Sequence, residues 1–486
     1  MAIAPSSRPG QQPVVQPVGL HVALDRSASL PLAAQLADGV RRAALDGHLR
    51  EGDRLPSTRA LAERLGVSRT VTAAAYDALL AEGWLRARTG AGTFVAAGPP
   101  AARPAAASRP EASRQASATT RDLGDRAEPL LDLHPGRPWV AGIDPAAWRR
   151  AWRRAGDRLA VPQRVHAGAT AYRQTVVEHL LHHRGLLIDR AGSADVVATA
   201  GISAAVGELA LAVLHRGDRV AIEEPGYGRA AASLRAAGVD VVPVPVDADG
   251  LDPARVPDGV RAVYCTPAHQ YPLGGRMPLA RRVALVERAR REGLLVIEDD
   301  YDGELRFDVA PAPVLAALGR DVVVHLGTTS KILSPALGCG WMVAPPDVVE
   351  QVLDHRRRTS TAPPLPGQLV VAELARTGDL ARHLRRVRRE LSARRAGLVA
   401  ALAAHGVAVP GVDAGAHVVV PLPGADAERE ALAAGARAGL GLDPLSRHYL
   451  GAAVRYGLVV SYAVDDRDCL DTVTRALLEL LPPLSP

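Results

Sequence analysis

The stretch from Gly98 to Glu128, opening GPPAARPAAASRPEASRQASATTRD, carries no periodic apolar positions. Rich in Pro, Ala and Ser, it reads as a semi-extended linker, and no single core can be built through it. It therefore divides the 486 residues into separate folding units. Residues 1–29 read as a disordered tail, 30–97 as a small domain, 98–130 as the linker and 131–486 as a larger domain. No apolar run approaches the roughly 20 residues needed to cross a bilayer, so no membrane association is expected. Met1 to Pro17 has no apolar signal core, and a cytoplasmic location is expected. Cys265, Cys339 and Cys469 are too dispersed for a disulfide framework or a CxxC metal site and read as small core hydrophobes. The net charge of +6 permits nucleic-acid binding without requiring it.

In the small domain, Leu32, Leu36 and Val40 recur at four-residue spacing and predict a first helix between Pro31 and Gly47. Pro56 and Ser57 start a second, Leu61 and Leu65 give its apolar stripe, and Gly66 stops it. Ser68 is placed to cap a third helix, which carries Val71, Ala75, Leu79 and Leu80 to a stop at Gly83. Two helices across so tight a turn form a helix-turn-helix, and Trp84–Arg88 with Thr93–Val95 read as a wing hairpin. Arg69, Thr70 and Thr72 open the third helix, at the end that a recognition helix inserts into the major groove. Arg54, Arg59, Arg86 and Arg88 add candidate phosphate contacts. The segment LPSTRALAERLGVSRTVTAAAYDALLAEGWLRARTGAGTFV closely resembles the GntR-type winged helix-turn-helix. That resemblance implies a double-stranded DNA operator as partner, contacted through Arg54, Arg59, Ser68, Arg69, Thr70, Thr72, Arg88 and Gly92.

From Asp195 onward, short β-branched runs alternate with helical stretches, the pattern of an α/β fold with a mostly parallel sheet. Candidate strands are Asp195–Thr199, Asp218–Ile222, Arg261–Cys265, Leu294–Ile297 and Val322–His325. Ligands of such sheets collect beyond the carboxyl ends of the strands. Behind the first strand, Gly201 allows close backbone approach, and the following helix offers free N–H groups to a phosphate. Behind the second, Tyr227 offers a stacking surface and Arg229 an anion contact. Behind the third come His269, Gln270 and Tyr271. The fourth runs into Glu298, Asp299, Asp300, Tyr301 and Asp302, four carboxylates that repel one another unless a cation or polar ligand balances some of them. A metal is the rival reading of that cluster, but no phosphate-binding lysine motif of the P-loop kind accompanies it.

The fifth strand leads to Thr328, Ser330 and Lys331, and Lys331 is the only lysine among 58 Lys plus Arg. Arginine stays protonated, whereas a lysine amine can lose its proton and attack a carbonyl carbon to form a Schiff base. An amine, a carboxylate, an aromatic face and a phosphate cradle at one sheet edge are what pyridoxal phosphate needs. IEDDYDGELR, GTTSKILSPALG and TPAHQYPLGGRM resemble the fold-type I aminotransferase domain of the MocR family of bacterial regulators, which also carry a GntR-type domain. The resemblance implies a mostly parallel sheet with a small C-terminal subdomain. It implies that Lys331 holds the cofactor as an internal aldimine, Asp299 pairs with its pyridine nitrogen and Tyr301 hydrogen-bonds its ring oxygen. It further places Tyr227 on the ring, Tyr271 beside it, and Gly201, Ile202, Ser203, Thr328 and Ser330 around the phosphate. Arg229 and Arg447 resemble contacts to the carboxylate of an amine or amino-acid effector, with Arg455 as an alternative to Arg447.

Positions 338 and 203 depart from the family pattern, and Tyr271 departs from that of catalytic aminotransferases more than from the family, whose regulators often carry an aromatic residue there. Gly338 stands where an arginine usually helps bind phosphate, Tyr271 where aminotransferases carry asparagine, and Ser203 where a glutamine is usual. A lost charge-assisted phosphate contact costs about 1.5–3 kcal/mol, so weak cofactor binding is expected. The resulting expectation is a head-to-tail homodimeric transcription regulator that senses an amino compound through pyridoxal phosphate. Two other readings stand beside it: an aminotransferase with a DNA-binding appendage, and a regulator whose large domain is a cofactor-free dimerisation scaffold.

Overall fold

The computed structural model describes residues 22–26, 28, 30–88, 91–96, 131–159, 162–188, 195–307, 313–465 and 467–480. The expected linker, most of the expected tail, and Thr89 and Gly90 of the wing turn lie outside them. The chain forms two compact units, Met1–Asp125 and Arg126–Pro486.

The first unit contains α1 (Leu32–Leu45), α2 (Thr58–Leu65), α3 (Arg69–Ala81), β1 (Leu85–Arg88) and β2 (Gly92–Val95). The two strands pair antiparallel, with Leu85 opposite Val95. Leu36, Val40, Leu61, Tyr76, Leu79, Leu85 and Val95 are buried in its core. Ser57 caps α2 by accepting from the Ala60 amide (3.2 Å), and Gly66 closes that helix in the left-handed conformation. Ser57→Ala is expected to cost about 1 kcal/mol locally, read as roughly fivefold faster hydrogen exchange of the α2 amides in the full chain. An unchanged exchange rate would show that the cap contributes nothing.

Two expectations change here. The unit begins earlier than residue 30: Val22 and Leu24 pack against its core, and Arg26 Nη2 donates to Gly66 O at 2.6 Å. Thr72 does not face outward. It is fully buried, and its hydroxyl lies within 2.9 Å of Thr58 O and 3.0 Å of Arg69 O. Residues 72, 75, 76 and 79 share one helical face, so Thr72 belongs to the face that ties α3 to α2, and not to one available to bases.

The second unit opens with β3 (Leu131–Asp132), α4 (Pro145–Gly156) and α5 (Thr170–Arg184). It continues through β4 (Val196–Thr199), α6 (Ile202–Ala212), β5 (Arg219–Glu224), α7 (Gly228–Ala236), β6 (Asp240–Pro245), β7 (Ala262–Cys265), α8 (Leu279–Glu292), β8 (Leu295–Asp300), β9 (Val323–Thr328) and β10 (Gly340–Val343). These strands form a seven-stranded sheet in the order β4-β10-β9-β8-β7-β5-β6, parallel except for β10. Alternate residues feed two cores: Ala221, Val263, Val296 and Val323 face one, and Ile222, Tyr264, Ile297 and Val324 the other.

After α9 (Pro346–Thr359), α10 (Leu365–Arg376) and α11 (Asp379–Ala404), the chain builds a smaller subdomain. It consists of β11 (His417–Leu422), α12 (Ala425–Arg437), β12 (Leu440–Gly441), β13 (Asp443–Pro444), β14 (Tyr456–Ser461) and α13 (Arg467–Leu480). Its antiparallel sheet runs β11-β14-β13. Among the described residues no helix is long and apolar enough to cross a membrane.

Candidate functional site

The carboxyl ends of β4, β5, β7, β8 and β9 deliver most of the expected residues to one edge of the large sheet. Gly201 precedes α6 with φ +109°, and a Cβ there would sit 3.8 Å from Thr328 Oγ1, so the start of α6 adjoins the end of β9. Thr328 Oγ1 donates to Ser330 Oγ (3.0 Å) and accepts from the Ser330 amide (3.2 Å). The hydroxyls of Ser203 and Tyr227 are 2.9 Å apart. Tyr271 meets Tyr227 edge-on at 5.9 Å and Tyr301 at 5.7 Å between ring centroids. These contacts bring small hydroxyls and the start of α6 together beside an aromatic wall.

Lys331 Nζ donates to Gly136 O at 2.8 Å. Burial lowers the pKa of this amine and Arg229 adds to the effect, against the raising fields of Asp299 and Asp302. An amine shifted in that direction is more readily the neutral nucleophile.

Each of the four carboxylates has at least one partner within the protein. Glu298 accepts from the Leu315 amide (2.6 Å) and lies 3.0 Å from His325 Nδ1. Asp300 pairs with Arg184 at 2.5 Å, and Asp302 lies 2.8 Å from His269 Nδ1. Asp299 accepts a hydrogen bond from Tyr264 Oη on its Oδ2, while its buried Oδ1 has no partner. Burial pushes the Asp299 carboxyl up to about 7, with Asp300 and Asp302 adding and Tyr264 and Lys331 opposing. Among the described residues no group of three His, Cys, Asp or Glu is arranged to hold a metal.

Sequence reasoning missed Gly136 and Tyr264 among these partners and gave His269 no role. Gly136, on the segment after β3, supplies the carbonyl that holds the Lys331 amine, and a Cβ there would lie 2.6 Å from Nζ. His269 Nδ1 lies 2.9 Å from Tyr301 Oη and so fixes the hydroxyl expected to reach the ring oxygen. The signal for Tyr264 was present, since a tyrosine in a strand buried on both faces needs a partner for its hydroxyl.

The two expected effector arginines differ. Arg229 is exposed at the start of α7, and its field reaches Lys331 and Tyr227. Arg447 is paired with the buried carboxylate of Asp443 at 2.7 Å. Arg455 acts on Tyr449. Gly338 takes a left-handed conformation (φ +55°), with Pro364 Cγ 3.9 Å from where a Cβ would sit.

Residues 32–95 match the family of bacterial regulatory proteins of gntR type, and residues 143–438 match aminotransferase class I and II. A probable rhizopine catabolism regulatory protein, MocR, of Rhizobium meliloti is 33% identical over 476 residues, covering 94% of this chain and 96% of the relative. The pyridoxine biosynthesis transcriptional regulator PdxR of Corynebacterium glutamicum is 31% identical over 453 residues, covering 93% and 96%. Among solved structures, the α-aminoadipate aminotransferase LysN of Thermus thermophilus, complexed with N-(5'-phosphopyridoxyl)-L-leucine, is similar with a TM-score of 0.65 and 26% identity. That match covers 72% of this chain and 92% of LysN. With both modules matched in order and regulators aligned end to end, the chain belongs to the MocR family within the GntR regulators, and is a helix-turn-helix transcriptional regulator with an aminotransferase-like domain.

Proposed function

We propose that the aminotransferase-like unit holds pyridoxal phosphate on Lys331 and reads an amino compound there, and that this changes how the chain engages its operator. The observation that carries the reading is Asp299: a fully buried carboxylate at a strand end, one oxygen bonded and the other without a partner, close enough to Lys331 for each to shift the other. An orphaned buried acceptor is costly unless a ligand donor satisfies it, and a protonated pyridine nitrogen is such a donor. Gly201, Ile202, Ser203, Thr328 and Ser330 would hold the phosphate, Tyr227 and Tyr271 would flank the ring, and Tyr301 would bond its oxygen. When bound, pyridoxal phosphate supplies an aldehyde carbon that a primary amine condenses with, and a ring that withdraws electrons.

The remaining work falls to the chain itself. The Gly136 carbonyl orients Lys331 Nζ, while Arg229, exposed and unpaired among the described residues, attracts the carboxylate of an amino-acid effector. Arg447 would have to share its guanidinium with Asp443 to join it. The functional form in this reading is a head-to-tail homodimer in the cytoplasm. Operator contacts would come from Arg69 and Thr70 at the exposed start of α3, with Arg54, Arg59, Ser68, Arg88 and Gly92 as candidate contacts to the phosphate backbone.

Fluorescence anisotropy of the full chain on DNA from upstream of its own gene tests this. Arg69→Ala is expected to weaken binding by roughly tenfold or more. Pyridoxal phosphate with candidate amines is expected to shift the affinity of the unaltered protein. Affinity unmoved by the cofactor and by every amine would sink the sensing step.

A further inference from the structure

We propose that Tyr264 is a positioning residue for the cofactor carboxylate: its hydroxyl occupies Asp299 Oδ2, so that Oδ1 alone is presented to the ring nitrogen. The inference rests on the pyridoxal phosphate reading and deepens it. Tyr264 lies in β7, opposite Ile297 of β8 in the parallel ladder, and is fully buried. Its ring belongs to the apolar cluster with Ile222, Ile297 and Val324, so it is held on two sides before the hydroxyl is considered. The hydroxyl reaches Oδ2 two residues further along the neighbouring strand.

Without that donor, Asp299 would face only raising influences apart from Lys331: burial itself, Asp300 beside it on β8 and Asp302 just beyond the strand. A neutral carboxyl could then point either oxygen, or its own proton, at the ring. One donor on Oδ2 removes that ambiguity. It favours the anion and leaves a single acceptor with its lone pairs free. Glu223 supplies an internal comparison on β5. Burial also pushes its carboxyl up to about 7, and its Oε1 is likewise unpartnered, but Thr266 and Gln270 serve its Oε2 from the loop after β7. Asp299 takes its donor instead from a residue inside a strand, where the position is fixed by the sheet.

The test compares the affinity of the full chain for pyridoxal phosphate with that for 1-deazapyridoxal phosphate, whose ring has carbon in place of the pyridine nitrogen. Both are titrated by quenching of protein fluorescence. In Tyr264→Phe the preference for pyridoxal phosphate over the deaza analogue is expected to fall about tenfold, towards that of Asp299→Ala. Melting of the cofactor-free protein guards against simple misfolding, and Tyr264→Leu, which also lacks the hydroxyl, should show the same change of preference. Equal weakening toward both ligands would overturn the proposal, because a purely structural tyrosine does not distinguish them. If the unaltered protein binds neither ligand, the underlying reading fails and takes the proposal with it, a result distinct from a changed or unchanged ratio.

Discussion

Replacing Lys331 with alanine is expected to abolish any protein-bound visible absorption band and to weaken retention of pyridoxal phosphate by at least about tenfold. Lys331→Arg should do the same. Arginine keeps the positive charge opposite Asp299 and Asp302 but cannot give up its proton to become a nucleophile. This pairing separates a covalent role from an electrostatic one, which alanine alone does not. The amine-dependent change in operator affinity should disappear in both variants, while affinity without cofactor stays within about twofold, because the DNA-binding helices belong to a separate compact unit. Full amine response in either variant would show that the effector is read elsewhere.

The second large effect concerns stability. Arg184 ends α5 and is fully buried; it donates Nη2 to Asp300 (2.5 Å) and Nη1 to Gly303 O (2.9 Å). Gly303 is required there, since a Cβ would stand 2.2 Å from Asp300 Oδ1 and 2.5 Å from Arg184 Nη2. Asp300→Ala removes the carboxylate bonded to this buried guanidinium, leaving it Gly303 O and the fields of Glu304 and Glu298, and should cost about 3 kcal/mol of large-unit stability. The double variant Arg184→Leu with Asp300→Leu should recover part of that, since no buried charge is then left alone. Denaturant unfolding followed by tryptophan fluorescence reads both, because Trp139, Trp148, Trp152 and Trp341 all lie in this unit. A loss below about 0.5 kcal/mol for Asp300→Ala would mean that water or a shifted neighbour satisfies Arg184.

What was legible in the sequence followed from period and punctuation. The five expected strands are present because long β-branched runs buried on both faces leave a strong signal, and each runs to within three residues of its expected end. The sheet's other two strands escaped notice for physical reasons. The edge strand β6 contains Pro243 and Pro245, which cannot donate to a ladder and so disguise it, and β10 starts at a glycine and has Val343 as its single β-branched residue. Thr72 was misplaced although its helical spacing from Ala75 and Tyr76 carried the correct answer.

At the site, the residues projecting from strand ends were readable, because topology alone brings them to one edge. Their supports were not. Gly136 comes from far earlier in the chain to meet Lys331, and no local pattern records such a contact. The acidic run that closes β8 reads as repulsion when taken as a cluster, but strand alternation separates its members. Glu298 and Asp300 turn to the face that holds His325 and Arg184, and Asp299 turns to the face that holds Tyr264.

The central claim is that a primary amine on this chain holds pyridoxal phosphate and yields it to an amino compound. The most direct measurement is the absorption spectrum of the purified full chain mixed with pyridoxal phosphate, recorded before and after candidate amines are added. The expected result is a band distinct from that of the free cofactor, absent in Lys331→Ala, that shifts when the right amine is added. A spectrum that remains the simple sum of protein and free cofactor would contradict it.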